Sequence, residues 1–262
     1  MLSSESTSPR PPPEERVLGL KFFNGTDVEA VAYFLRVGGL LVAPVSPALL
    51  KLKYDGEYRR ALQAADVTLA DSALLSVLWR IASGRRLRKN SGLSYFKSLL
   101  DNGNLGAEDT FWIVSSEAAR DNAMRWLRQR GFQTGDDNFC VLNEDGAQAE
   151  RYELLTRIEN QRPGHVIIAL RSGGQEKLGM YLREYLVNRP AIHCIGAALG
   201  LSTGDEAPIP DWADRYGLGW LPRLVSQPRM FFPRLASACV LAGMVFRYRS
   251  EMPYLRDRWA DI

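Results

Sequence analysis

Histidine is nearly missing from this chain and cysteine is scarce. His165 and His193 are the only histidines, and Cys140, Cys194 and Cys239 the only cysteines. No His/Cys cluster has metal-ligand spacing, so no zinc site is expected. Both histidines fall at or in predicted strands and read as core residues rather than catalysts. Cys140 and Cys194 sit in apolar runs and read as buried thiols of a reducing compartment, not as parts of a disulfide framework. No apolar run is long enough to span a bilayer. The first residues lack the basic and apolar regions of a secretory signal, so the chain is expected to be cytoplasmic. Neither sign of charge dominates: 33 Lys and Arg against 30 Asp and Glu leave +3. Nothing global therefore marks a nucleic-acid partner, and none is expected. The glycine fingerprint of dinucleotide-binding folds and the P-loop are both absent.

What is present is a βα rhythm. Residues 1–15, rich in Ser, Pro and Glu, cannot bury apolar area and read as a disordered tail. Residues 17–23 read as a first strand, and Thr26 with Glu29 as a capping box opening a helix. Strands are predicted at 40–45, 67–70, 110–114, 139–142, 165–170 and 191–195, alternating with helix-length amphipathic segments. Such alternation implies a mostly parallel sheet with helices on both faces, a Rossmann-like α/β fold. Runs such as Val-Ile-Ile-Ala-Leu, apolar throughout, suit strands covered on both sides. The expected division is a tail (1–15), a Rossmann-like catalytic domain (16–205) and a C-terminal helical appendage (206–262).

In an open parallel sheet, chemistry gathers at the carboxyl ends of the strands. Asp71 ends the predicted strand 67–70 and precedes a helix. It is either the helix N-cap or a catalytic carboxylate, and one aspartate can be both. The loop 171–176, Arg-Ser-Gly-Gly-Gln-Glu, follows another strand. Its small residues, Gly174 among them, let backbone approach a ligand. The helix that follows offers free N–H groups to an anion. Gln175 can donate and accept, and Glu176 suits the helix dipole. A basic run, residues 85–89, is either a solvated loop or a phosphate contact. Residues 235–246 are apolar on nearly every face and flanked by arginines and aromatics. That segment suits a helix lying in a membrane interface or one packed on the domain.

Three segments carry a resemblance: EYRRALQAADVTLADS (57–72), GGQEK (173–177) and APIPDWADRYGLGWLPRLVSQPRMFFPRL (207–235). Together they resemble the WecG/TagA/CpsF glycosyltransferase family over about residues 18–234. The resemblance implies inverting, metal-independent transfer of a sugar from a UDP-sugar to a polyprenyl-diphosphate-linked acceptor. It implies no cofactor, and it places the protein peripherally on the inner face of the bacterial cell membrane, held through the appendage. It places the general base on Asp71 and substrate contacts on Gln175, Glu176, Gly174 and Ser46. Lys89, Arg223, Arg229 and Arg234 fall where diphosphate would be neutralised. The chain departs from the family pattern at Ser72, Lys89, Ser94, Ser115-Ser116 and Arg171-Ser172-Gly173, so the donor sugar does not carry over. The alternative is a non-catalytic relative that binds nucleotide-sugar or scaffolds a polysaccharide assembly complex.

Overall fold

A computed structural model describes residues 13–102, 105–106, 108–142, 148–204 and 231–255. The segment read as one strand, 17–23, is a hairpin. β1 (Glu14–Val17) and β2 (Leu20–Phe23) pair antiparallel across Leu18 and Gly19, whose φ angles are 51° and 78°. Two successive positive φ values match the right-handed twist of a hairpin. Leucine is no turn signal, which is why the sequence reads through. The turn is held from outside: Leu18 N–H donates to Arg249 O (2.7 Å) and Gly19 N–H to Ser250 O (3.1 Å). A Cβ on Gly19 would lie 2.6 Å from Met252, so only glycine fits. Glu14 and Glu15, assigned by composition to the tail, belong to β1.

The chain continues through α1 (Asp27–Val37), β3 (Leu40–Val42), α2 (Ser46–Leu49), a 3-10 turn (Leu50–Lys53), α3 (Gly56–Ala64), β4 (Val67–Thr68), α4 (Ala73–Ser83) and α5 (Gly92–Asn102). The second half runs β5 (Thr110–Val114), α6 (Glu117–Gln129), β6 (Phe139–Val141), α7 (Gln148–Gln161), β7 (His165–Ala169), α8 (Gly174–Tyr185), β8 (Ala191–Cys194) and α9 (Ala198–Thr203). The last described helix is α10 (Phe231–Tyr248). Thr26 caps α1 as expected. Its hydroxyl accepts from Glu29 N–H (3.2 Å), and the Glu29 carboxylate accepts from Thr26 N–H (2.7 Å).

The eight strands lie in the order β1-β2-β4-β3-β8-β7-β5-β6, parallel everywhere except β1–β2. Both faces are covered, as the sequence implied. On one face, Phe111 and Ile113 of β5 pack in a core with residues of α3, α4, α7, α8 and α10. On the other, Trp112 and Val114 pack with residues of α1, α5, α6 and α9. The period of two along β5 assigns these neighbours to opposite layers. Each fully buried large side chain, such as Trp112 or Phe34, contributes about 1.5–3 kcal/mol relative to exposure.

Residues 231–255 are integral to this packing. Leu241, Met244 and Val245 of α10 are buried in the core, where the helix meets α2, α4 and the 3-10 turn. Val240 and Phe246 stay exposed. Among the described residues, no helix is long and apolar enough to cross a membrane.

Candidate active site

A cavity of about 700 Å³ opens at the carboxyl edge of the parallel sheet. Its walls follow from the topology. Ala43 and Val45 come from the end of β3, Asp71 from the end of β4 and Ser115 from the end of β5. Residues 169–172 leave β7, residues 195–201 leave β8, and Ser91 begins the segment into α5. This is the position that doubly wound sheets offer to ligands.

Asp71 reaches the cavity because it is not the helix cap. The cap of α4 is Ser72, whose hydroxyl accepts from Leu75 N–H (3.0 Å). Asp71 stands one residue upstream, half-buried, with its N–H turned to Leu69 O (3.1 Å). The reading of Asp71 as N-cap is corrected accordingly: a serine that follows the aspartate takes the cap and leaves the carboxylate to face the cavity wall. Gly92, the first residue of α5, brings that helix close. A Cβ there would lie 3.5 Å from Asp71 Oδ2 and 3.0 Å from Ile195 O. The N-terminal end of α5 thus lies beside the Asp71 carboxylate.

Gln175 lines the cavity and is 1% exposed. Its Oε1 accepts from Gly196 N–H (2.8 Å), tying the loop after β7 to the loop after β8. Glu176, 0% exposed, does not line the cavity. Its carboxylate accepts from Gly173 N–H (2.5 Å) and from the Ser172 hydroxyl (2.8 Å). Burial pushes its pKa up, and those hydrogen bonds oppose the shift. The amides of Gly174 and Gln175 turn back onto Arg171 O (3.3 and 3.2 Å). The expectation of an open anion site at the start of α8, with Gly174 in it, is therefore corrected. Glu176, three residues into the turn, already closes the helix N-terminus. Lys51 holds the same loop from the other side, donating to Ser172 O (3.3 Å). Gly173 has φ 108°, and a Cβ there would collide with the Lys51 ammonium.

The remaining sequence candidates separate. Ser46 is not among the lining residues; its hydroxyl is hydrogen-bonded to that of Ser72, behind Asp71. Lys89 is also outside the lining, and its charge acts on Asp27, a carboxyl that burial pushes up. Asn24 clamps the basic run beside it, accepting from Arg88 N–H (2.7 Å) and donating to Arg86 O (2.9 Å). Arg223 and Arg229 lie outside the described residues. Arg234 falls on α10, outside the described side chains.

Sequence reasoning passed over Ser91 and singled out Gly174, Gln175 and Glu176 rather than Arg171 within the candidate loop 171–176; the Ser115-Ser116 turn and the loop from Gly196 were weaker candidates, and the cavity is lined by Ser115 and Gly196. Asp71 and Arg171 are the charged residues lining the cavity among the described residues. Their only common signal in the sequence is position, each the first residue after a predicted strand (67–70 and 165–170). The two histidines are core groups, as expected. His193, 0% exposed, has Nδ1 at 2.9 Å from the Tyr95 hydroxyl and Nε2 at 3.1 Å from His165 Nδ1. Burial lowers the pKa of both.

With this geometry in place, the comparisons with known proteins are informative. The family model described as Glycosyl transferase WecG/TagA/CpsF matches residues 15–253, nearly the whole chain. No curated protein sequence matches it.

Proposed function

The chain belongs to the WecG/TagA/CpsF glycosyltransferase family, and from that premise we propose an inverting transfer with Asp71 as general base. Membership makes it a glycosyltransferase of cell-surface glycan synthesis. The finer reading is a UDP-sugar donor, a polyprenyl-diphosphate-linked saccharide as acceptor, and no metal. One observation carries it: Asp71 is the sole carboxylate among the described residues lining the strand-end cavity.

In this mechanism the acceptor hydroxyl gives its proton to the Asp71 carboxylate as its oxygen attacks the anomeric carbon. The bond from that carbon to the diphosphate oxygen breaks, and the electron pair leaves with the nucleoside diphosphate. A single displacement inverts the anomeric centre. A positioned base of this kind contributes about 10²–10⁴-fold. Gln175 and Gly196 tie together two of the loops that wall the cavity.

The test is Asp71→Asn, assayed with a panel of nucleotide-sugars against a prenyl-diphosphate-linked acceptor. Turnover should fall by about 10²-fold or more, while thermal stability and nucleotide affinity stay close to wild type. A variant that keeps most of its turnover removes Asp71 from the role. Absence of binding by any nucleotide-sugar to wild type would favour the scaffolding alternative.

We also propose that the protein works at an anionic membrane surface. The support is a pair of adjoining helices that leave Val77 and Ile81 (α4) and Val240 and Phe246 (α10) exposed, with Arg80 and Arg247 exposed on the same helices. Exposed apolar groups and arginines on the same helices suit a headgroup layer.

A further inference from the structure

The cavity needs positive charge where a diphosphate would leave, and α8 does not supply it. Its first amides are taken by the Glu176 carboxylate and by Arg171 O. Lys89 does not line the cavity. Arg171 does. It is the first residue after the buried Leu170 at the end of β7, it is exposed to solvent, and it lines the same cavity as Asp71. Its main-chain carbonyl is fixed by the amides of Gly174 and Gln175, and the turn behind it is fixed by Lys51 and Glu176. The side chain therefore starts from an anchored main chain.

We propose that Arg171 is a diphosphate-binding residue, whose guanidinium takes the phosphate oxygens of the nucleotide-sugar and neutralises the leaving group. This rests on the glycosyltransferase reading given above. A planar guanidinium offers paired N–H donors that match two phosphate oxygens. As the bond to the anomeric carbon breaks, one further negative charge develops on the diphosphate. A cation held there stabilises the transition state more than the ground state. Asp71 and Arg171 then divide the step: the carboxylate receives the acceptor's proton, and the guanidinium receives the charge of the departing group.

The test is calorimetry on the full chain with UDP and uridine, with GDP and guanosine in parallel, for wild type, Arg171→Gln and Arg171→Lys. Wild type should prefer the nucleoside diphosphate to its nucleoside. Arg171→Gln should lose about 10- to 100-fold in diphosphate affinity, the size expected for hydrogen bonds to a charged group, with nucleoside affinity unchanged. Arg171→Lys should recover part of the loss, and kcat with a nucleotide-sugar should follow the same order. Retention of full diphosphate affinity by Arg171→Gln overturns the assignment, as does an equal loss for diphosphate and nucleoside. If wild type binds no nucleoside diphosphate, the underlying glycosyltransferase reading fails first, and that outcome is distinct from either of these.

Discussion

Acidification should weaken this fold through its two histidines, and the size of the effect follows from how they are bonded. His165 Nε2 lies 3.8 Å from the Asp109 carboxylate, which can only accept. With the His165 proton on Nε2, Nδ1 accepts from His193 Nε2–H at 3.1 Å. His193 Nδ1 then accepts from the Tyr95 hydroxyl at 2.9 Å. Phe34 packs edge-on against the His193 ring at 4.9 Å. With both imidazoles neutral, each ring nitrogen of the fully buried His193 has a hydrogen-bond partner. Burial lowers both native pKa values, that of His193 well below the ordinary value. In the unfolded chain each titrates near 6.5. A histidine depressed in the native state stabilises the fold above the unfolded pKa and loses that contribution as pH falls through it. Below about pH 6.5 each imidazole that stays neutral costs up to about 1.4 kcal/mol per pH unit. Glu176 and Asp27, pushed up by burial, act with the opposite sign in acid, so a difference measurement is needed. Urea denaturation of wild type and His193→Gln at pH 7.5 and 5.5 provides it. The variant should lose about 1.4 kcal/mol less than wild type over that interval, whatever its absolute stability. Equal losses in the two proteins would refute the neutral, buried His193.

Three further outcomes are expected. Gln175→Leu leaves Gly196 N–H without its acceptor and should cost about 1–3 kcal/mol in denaturant unfolding, with weaker donor binding in calorimetry; unchanged stability would show that the bridge between the loops is dispensable. Gly173→Ala forces a side chain onto φ 108° against Lys51 and should cost about 1–3 kcal/mol, read as a lower thermal midpoint. Ile81→Glu, at a position 66% exposed on α4, should reduce co-sedimentation with anionic vesicles while leaving the melting temperature within a few degrees; unchanged sedimentation would count against α4 as a membrane face. Deleting the C-terminal segment is the poorer experiment, because Leu241, Met244 and Val245 belong to the core.

Much of the architecture was readable because its signals are local. The Thr26–Glu29 box, the apolar strands and the helix-length spacers each depend on residues within one or two turns. The misreadings share the opposite cause. The Leu18–Gly19 turn is imposed by main-chain bonds from residues 249 and 250, far away in sequence. The cap of α4 is decided between two adjacent capping residues, and Ser72 prevails with Ser46 hydrogen-bonded to it. The start of α8 has the sequence of an anion site, but the Glu176 carboxylate folds back onto Gly173 N–H and occupies it. Arg171 stood in the candidate loop 171–176 without a role of its own, because its importance comes from sharing a cavity with Asp71. Position after a strand was visible, but which strand ends share one cavity was not.

The hairpin turn also has a consequence for how the protein is made. The hydrogen-bond acceptors of Leu18 and Gly19, Arg249 and Ser250, are translated more than two hundred residues after them. Arg59 likewise donates to Pro253 O (2.9 Å). The turn at this edge of the sheet is therefore completed only by a segment more than two hundred residues further along the chain. Contacts so distant along the chain form slowly, and an unpaired edge exposed in the meantime is open to wrong pairing. A nascent chain halted before residue 249 should leave the Leu18 and Gly19 amides unprotected from hydrogen exchange, with protection arriving only when residues 249 and 250 dock.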